Sequence, residues 1–347
     1  MGRGEKQAYN EHPPSVRSVS DGIDQSGGPF QGAEGGKDMH TAPAPLFRDP
    51  IFDGPADPTV IFNREEKTWW MVYTQRRANV PCHRVSWCHG TDLGVCSSSD
   101  HGATWLYRGT LNLEPVEKGR NTFWAPEIFC ENGVYHMYVS YITGVPDSWR
   151  GSRDILHYTS SNLWDWKYED TPVLSSRRVI DACVYHAQDG YRMRYKDEDD
   201  HSHTHMAFSS DLKTWTDQGR ATEDQEQEGP NVFRLGGTYW LIADVWDGQA
   251  VYASEDLKSW KRQEGMLMQG PGTRPEDTNR AHHASVVTVG DHGYIFYFVH
   301  PTQCLSADPL GSHLSRRSSV QVALLEVREG RLCVVRDEPF DFYLPDL

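Results

Sequence analysis

No stretch of this 347-residue chain approaches the ~18 consecutive apolar residues of a membrane-spanning helix. Its opening, MGRGEKQAYNEHPPSVRSVS, lacks the apolar core of a secretory signal. Cysteine is sparse: seven residues, an odd number, with no CxxC spacing, which fits neither a disulfide framework nor a zinc site. No Asn-x-Ser/Thr acceptor occurs. These absences point to a cytoplasmic protein, or to a secreted one if a leader lies upstream. Positive charge is also short: Lys and Arg number 34 against 49 Asp and Glu, for a net charge of -15. This balance argues against a phosphate-backbone partner, which needs a basic face, while leaving room for a local Arg or Lys cluster; neither nucleic acid nor membrane is an expected partner. Helical periodicity is nearly absent, and the sequence carries no mark of oligomeric state.

Aromatic residues, by contrast, abound: 12 Trp, 16 Tyr and 12 Phe can fill a large core. Residues 1–45, rich in Gly, Pro, Ser and charge, read as a flexible tail, and residues 46–347 as one folded domain. Within that domain one pattern recurs. DPTVIFNREEKTWWMVYT, APEIFCENGVYHMYVSY, DACVYHAQDGYRMRYKD, GPNVFRLGGTYWLIADV and HASVVTVGDHGYIFYFV are each a strand, a turn and an aromatic strand. SSDHGATW, TSSNLWDW, SSDLKTW and SEDLKSW follow the first four, each ending on a Trp anchor, and SVQVALLEV and RLCVVRD supply the outer strands of the fifth. The period of roughly 45 to 65 residues is that of propeller blades. The expected fold is all-β, a five-bladed β-propeller; a β-sandwich, the competing architecture, does not explain the alternation of inner and outer hairpins.

A propeller turns this repeat into a site. The first strand of every blade lines the central channel and runs the same way, so the residues that start these strands meet at one mouth. Aligning the five strands on their apolar cores puts Asp57, Trp124, Asp181, Gly229 and His283 in equivalent slots, with Glu228 one step before its own. Asp181 heads a buried strand, where a carboxylate is costly unless paired or used. Glu228 follows the acidic run TEDQEQ and would read as surface but for this register. Three carboxylates, an imidazole and a Trp suit glycoside hydrolysis, which needs a protonated acid on the leaving oxygen and a carboxylate acting on water or carbon.

The ordered trio ADPTVIF, IDACVYH and EGPNVF, one per blade, resembles the five-bladed glycosidases of family 43 and their relatives, including family 117. The resemblance covers about residues 50 to 300. It implies inversion, with Asp57 as general base, Asp181 as the carboxylate that holds and tunes the acid, and Glu228 as general acid. It further implies substrate contacts along WAPEIF, with a sugar platform at Trp124 and a second contact at Glu127, which stands in place of the usual Asp. His283 of HHASVV would lie in the channel, where it can meet a structural divalent cation; no cofactor is required. Some family 117 members are thought to use a fifth-blade histidine as acid, which brings in His282 as well as His283.

Other polar groups read more plainly. His201, His203 and His205 alternate along one strand as a polar rim, with His203 the one to reach substrate. Arg76, Arg77 and the run Lys196-Asp197-Glu198 end inner-hairpin strands and read as blade-to-blade salt bridges, with Arg77 available to an acidic sugar. The functional expectation is an exo-acting inverting glycosidase on a carbohydrate substrate. The alternatives are a propeller glycoside phosphorylase, against which Asp57 argues, and a non-catalytic carbohydrate-binding propeller, which has no use for three acids at one mouth.

Overall fold

The computed structural model describes residues 40–302 and 311–347. Five small antiparallel sheets dominate them, and helix is confined to short turns at Ser86–Cys88 and His313–Arg316. Blade 1 spans residues 55–110, blade 2 122–170, blade 3 179–220, blade 4 228–262 and blade 5 282–335. Strands follow chain order from the channel outwards, and blade 2 gains a fifth strand, Asn112–Leu113, parallel to Asp165–Asp170. The first strands, Pro55–Asn63, Thr122–Glu131, Val179–Ala187, Glu228–Leu235 and His282–Val289, stand side by side in a closed ring. The fold is thus the five-bladed propeller that the repeat predicts, with the fifth blade's outer strands at Ser319–Arg328 and Arg331–Val335.

Each blade is clamped between two neighbours, so the core consists of wedges between blades. Thr68–Gln75, read as TWWMVYTQ, shows why its sequence is apolar at nearly every position: Trp69, Met71 and Tyr73 pack towards blade 5, Trp70 and Val72 towards blade 2. The Ser/Asp-to-Trp element is one turn built four times. Asp100, Asn162, Asp211 and Asp256 each accept backbone N–H bonds from residues just ahead, as when Asp211 Oδ1 takes those of Lys213 and Thr214. The residue after each of them has positive φ: His101, Leu163, Leu212 and Leu257.

Among the described residues no continuous stretch of chain crosses the seam between blades 5 and 1. It is closed by a clasp of chain ends: His40–Thr41 pairs with Asp341–Phe342, Phe47 bridges to Val320, and Trp69 Nε1 donates to Pro345 O. Residues 40–45, expected in the tail, are part of this clasp, with Ala42 buried against the blade 1–blade 5 wedge; residues 1–39 of the expected tail lie outside the described residues.

Candidate active site

Every first strand carries a β-bulge near its start, where the pairing register slips: at Ala56/Thr59, Trp124/Glu127, Ile180/Cys183, Glu228/Asn231 and His282/Ala284. A bulge bends the strand and re-aims a side chain. The bulged residues are therefore Asp57, Ala125, Asp181, Gly229 and His283. The slot expected for Trp124 belongs to Ala125, and Trp124 stands one step earlier, level with Glu228. Four of the five bulged residues have left-handed backbone, with φ of 51° at Asp57, 45° at Ala125, 61° at Asp181 and 55° at Gly229. For the non-glycine residues this is strain of about 1–3 kcal/mol each, held by the surrounding sheet. Gly229 is required twice over, since a Cβ there would also lie 2.7 Å from His283 Cγ.

Above these bulges lies a cavity of about 330 Å³, lined by Asp57, Trp124, Asp181, Glu228 and His283 among the expected residues, and by Arg76, Cys88, Trp149, Ile180, Lys196, Glu198 and Trp246 besides. Asp57 is buried, and Arg76 Nη2 lies 3.2 and 3.3 Å from its two oxygens while the guanidinium stacks on Phe298. Asp181 is anchored through its own N–H to Ser140 Oγ at 2.9 Å, and its Oδ2 accepts Gly229 N–H at 3.0 Å. Burial, together with the like charges of Glu228 and Asp57, lifts its pKa to about 6 against the pull of His283 and Lys196. His283 Nδ1 sits 3.7 Å from Asp57 Oδ1 and 3.9 Å from Asp181 Oδ2, between the two acids.

Glu228 Oε2 takes a 2.8 Å bond from Lys196 Nζ. Burial raises the Glu228 pKa, but the Lys196 charge and hydrogen bond, with His283 and His282 behind them, outweigh it and hold the carboxyl below its ordinary range. Glu198 anchors the cationic side of the cavity: its Oε2 meets both Arg153 and Arg178, and its Oε1 lies 3.8 Å from Lys196 Nζ. Trp124 is fixed by a 2.6 Å bond from its Nε1 to Cys88 O, and the Trp149 ring lies 6.0 Å away. Trp149 and Trp246 are half exposed at the rim, whereas large apolar side chains elsewhere are mostly buried.

Four expected substrate contacts do not line this cavity. Arg77 donates to His89 O and Ser86 O, which ties down the loop between the second and third strands of blade 1. His203 is turned to Asp200 O, out on the third strand of blade 3. His282 stands behind the cavity on buried Asp244, which raises its pKa despite burial. Glu127 lies one step further down the channel in a ring with Thr59, Cys183, Asn231 and Ser285, where it accepts Val184 N–H and burial pushes its carboxyl up to about 7. Among the described residues no group of three or more His, Cys, Asp or Glu is arranged to hold a metal ion.

The residues missed by sequence reasoning come from one place. Second strands end where first strands begin, so Arg76, Lys196 and Glu198, and the connectors carrying Trp149 and Trp246, face the same mouth. Read as salt bridges, Arg76 and Lys196 do form them, but with the acids of the cavity. A lone Trp in the connector after a second strand was the available signal for Trp149 and Trp246.

Fold and cavity together define a class: a five-bladed β-propeller with an acid-lined cavity at its channel mouth. The structure is similar to a thermostable family-43 glycoside hydrolase, with 18% identity and a TM-score of 0.61 over 85% of this chain and 98% of that one. It is similar too to an exo-1,5-α-L-arabinanase from a bovine ruminal metagenomic library (15% identity, TM-score 0.56, 84% and 99% covered). A third, an endo-1,4-β-xylanase from Bacteroides thetaiotaomicron, shares 15% identity and a TM-score of 0.60 over 84% and 97% of the two chains. No protein-family model matches the sequence, and no curated protein matches it either. At these identities the likeness is one of fold.

Proposed function

We propose that the protein is a glycoside hydrolase that removes terminal sugars with inversion of configuration. The observation that carries this reading is the meeting of Asp57, Asp181 and Glu228, from three blades, around one cavity walled by Trp124. Proteins of the same fold include an arabinanase, a xylanase and a β-xylosidase, which supports a carbohydrate substrate.

In the mechanism, Asp57 takes a proton from a water as that water attacks the anomeric carbon. Glu228 gives its proton to the glycosidic oxygen as the bond from that oxygen to the anomeric carbon breaks. The products are a free sugar of opposite anomeric configuration, the alcohol that carries the former glycosidic oxygen and Glu228's proton, a protonated Asp57 and an ionised Glu228. The two carboxyls exchange protons with solvent before the next turnover. Asp181 holds the Gly229 N–H and so fixes the backbone beside Glu228. Asp57 and Glu228 belong to blades 1 and 4, with blade 5 between them on the short side of the ring. That favours the wider spacing of ~6.5–9.5 Å an inverting pair needs for its water. Trp124, Trp149 and Trp246 offer flat faces to sugar C–H surfaces.

The test is a screen of aryl glycosides and oligosaccharides, with and without inorganic phosphate, followed by proton NMR of the first anomer formed. Release that needs no phosphate and gives the inverted anomer is the expected result. Phosphate-dependent release would make the protein a phosphorylase, and no release across the screen would leave a binding propeller.

A further inference from the structure

The ring carries an internal control for each of its positions. Opposite the residue before each bulge, the second strand presents Thr74, Ser140, Lys196, Asp244 and Phe298 in blades 1 to 5. Three of these do the same job for the next blade, accepting the N–H of its bulged residue. Thr74 Oγ1 takes that of Ala125 at 2.8 Å, Ser140 Oγ that of Asp181 at 2.9 Å, and Asp244 Oδ2 that of His283 at 3.1 Å. Blade 3 departs from the rule. An ammonium has no lone pair to offer, so the N–H of Gly229 turns to Asp181 Oδ2 instead, and the buried Lys196 reaches Glu228.

A buried cation in a position where Thr or Ser suffices elsewhere is not there for the fold, since burying it is costly unless paired. Its surroundings give it two partners. Glu228 Oε2 lies 2.8 Å from Nζ, Glu198 Oε1 lies 3.8 Å away, and the Trp246 ring centre at 5.4 Å flanks the ammonium. The other oxygen of Glu198 is engaged by Arg153 and Arg178, which hold that carboxylate still.

We infer that Lys196 is a positioning residue that moves between two carboxylates: it holds Glu228 while the cavity is empty and passes to Glu198 when a glycosidic oxygen arrives. This rests on the reading of Glu228 as the acid. The exchange has a chemical purpose. An ammonium on Glu228 disfavours the protonated form that must begin the reaction, so it has to withdraw as substrate enters. Glu228, freed of the ammonium, takes its proton from solvent. As that proton leaves for the glycosidic oxygen, the ammonium returns from Glu198 and stabilises the carboxylate being formed, an interaction stronger late in the reaction than at its start.

The charged groups facing Glu228 are Lys196 and Asp181 from blade 3, His282 and His283 from blade 5, and at longer range Arg76 and Arg153 from blades 1 and 2. Replacing Lys196 leaves the rest in place. The alkaline limb of kcat/KM follows loss of the acid's proton in the free enzyme. Lys196→Met should therefore move that limb up by about one pH unit or more, the scale of a close opposite charge. It should also slow poor leaving groups more than good ones. Lys196→Arg, which keeps the charge, should keep the limb. Glu198→Gln removes the second berth and should move the limb the other way, to lower pH.

A titration without substrate completes the test: carboxyl carbon NMR on glutamate-labelled protein, with Glu228→Gln assigning the resonance and circular dichroism checking the fold of each variant. A Glu228 midpoint that rises in Lys196→Met, with opposite limb shifts for Lys196→Met and Glu198→Gln, supports the exchange. A midpoint unchanged in Lys196→Met overturns it whatever the activity, and so do limb shifts of the same sign. If the midpoint rises but the wild-type protein hydrolyses no glycoside, Glu228 is not an acid catalyst, and the exchange falls with that role while the ion pair stands.

Discussion

Asp57 and Asp181 occupy the same step of blades 1 and 3, both in left-handed backbone at φ 51° and 61°, and the His283 imidazole lies within 4 Å of each. The same kind of bulge, built once in blade 1 and once in blade 3, thus brings two acids within reach of one ring nitrogen. What separates them is their second partner: a guanidinium for Asp57, a backbone N–H for Asp181.

Asp57→Asn should lower turnover on a natural glycoside by about 10² or more, the scale of general-base catalysis, beyond any loss of folded protein caused by leaving Arg76 without its carboxylate. Azide should not restore a product of retained configuration. Turnover near the wild-type level would remove Asp57 from the base role.

Asp181→Asn should be more stable than the wild type at neutral pH. Because its folded-state pKa of about 6 lies above the ordinary 3.8, Asp181 favours folding most below pH ~4. That contribution is lost as pH rises through about 6, to the extent of roughly 1–3 kcal/mol. Asparagine keeps an acceptor for Gly229 N–H and escapes the loss. Thermal melts should show a gain for the variant at pH 7.5 that vanishes at pH 4, while activity falls. An equal gain at both pH values would trace the effect to packing instead.

Gly229→Ala should cost about 1–3 kcal/mol of stability, since it adds both a positive-φ penalty and a contact with the His283 ring. The displaced imidazole lies beside both acids, so activity should fall further than the loss of folded protein accounts for. Circular dichroism melts paired with active-site titration separate the two effects.

Trp149→Ala and Trp246→Ala should fold normally, because both rings are half exposed. If they cradle sugar faces, each should raise KM roughly two- to tenfold with a smaller change in kcat, in line with single aromatic contacts. Unchanged KM on oligosaccharides would show that the rim is not used.

The ring was legible because its repeat is written in strand pairs, and the observed first strands begin within three residues of the expected starts. The small offset has a cause: the apolar run starts after the bulge, while pairing continues above it through residues such as Pro55 and Val179. Trp124 was assigned the slot of Ala125 for the same reason, since alanine carries no chemical signal and the extra bulge residue is invisible in a two-residue period. Asp57, Asp181, Glu228 and His283 were found because they head first strands. Lys196 and Glu198 make the expected blade-to-blade salt bridges, to Glu228 and Arg153, while Arg76 pairs within its own blade. Their place in the cavity went unread because they close second strands and their partners are remote in sequence, Lys196 and Glu228 being 32 residues apart. Arg77 and His203 do not line the cavity because each turns to backbone carbonyls of its own loop, which position near the mouth in sequence does not reveal.

The clasp at the seam also bears on what kind of object this chain is. His40 lies directly across from Phe342, so two segments far apart in sequence meet at the seam and close the ring by pairing. A short linker from the C-terminal segment to His40 would make that pairing redundant, and the exposed connection at residues 114–120 offers a different place to open the ring. Such a permuted chain would start on the blade that bears Trp124 and finish on the blade that bears Asp57. Its cavity would be assembled from the same walls in a new order of synthesis.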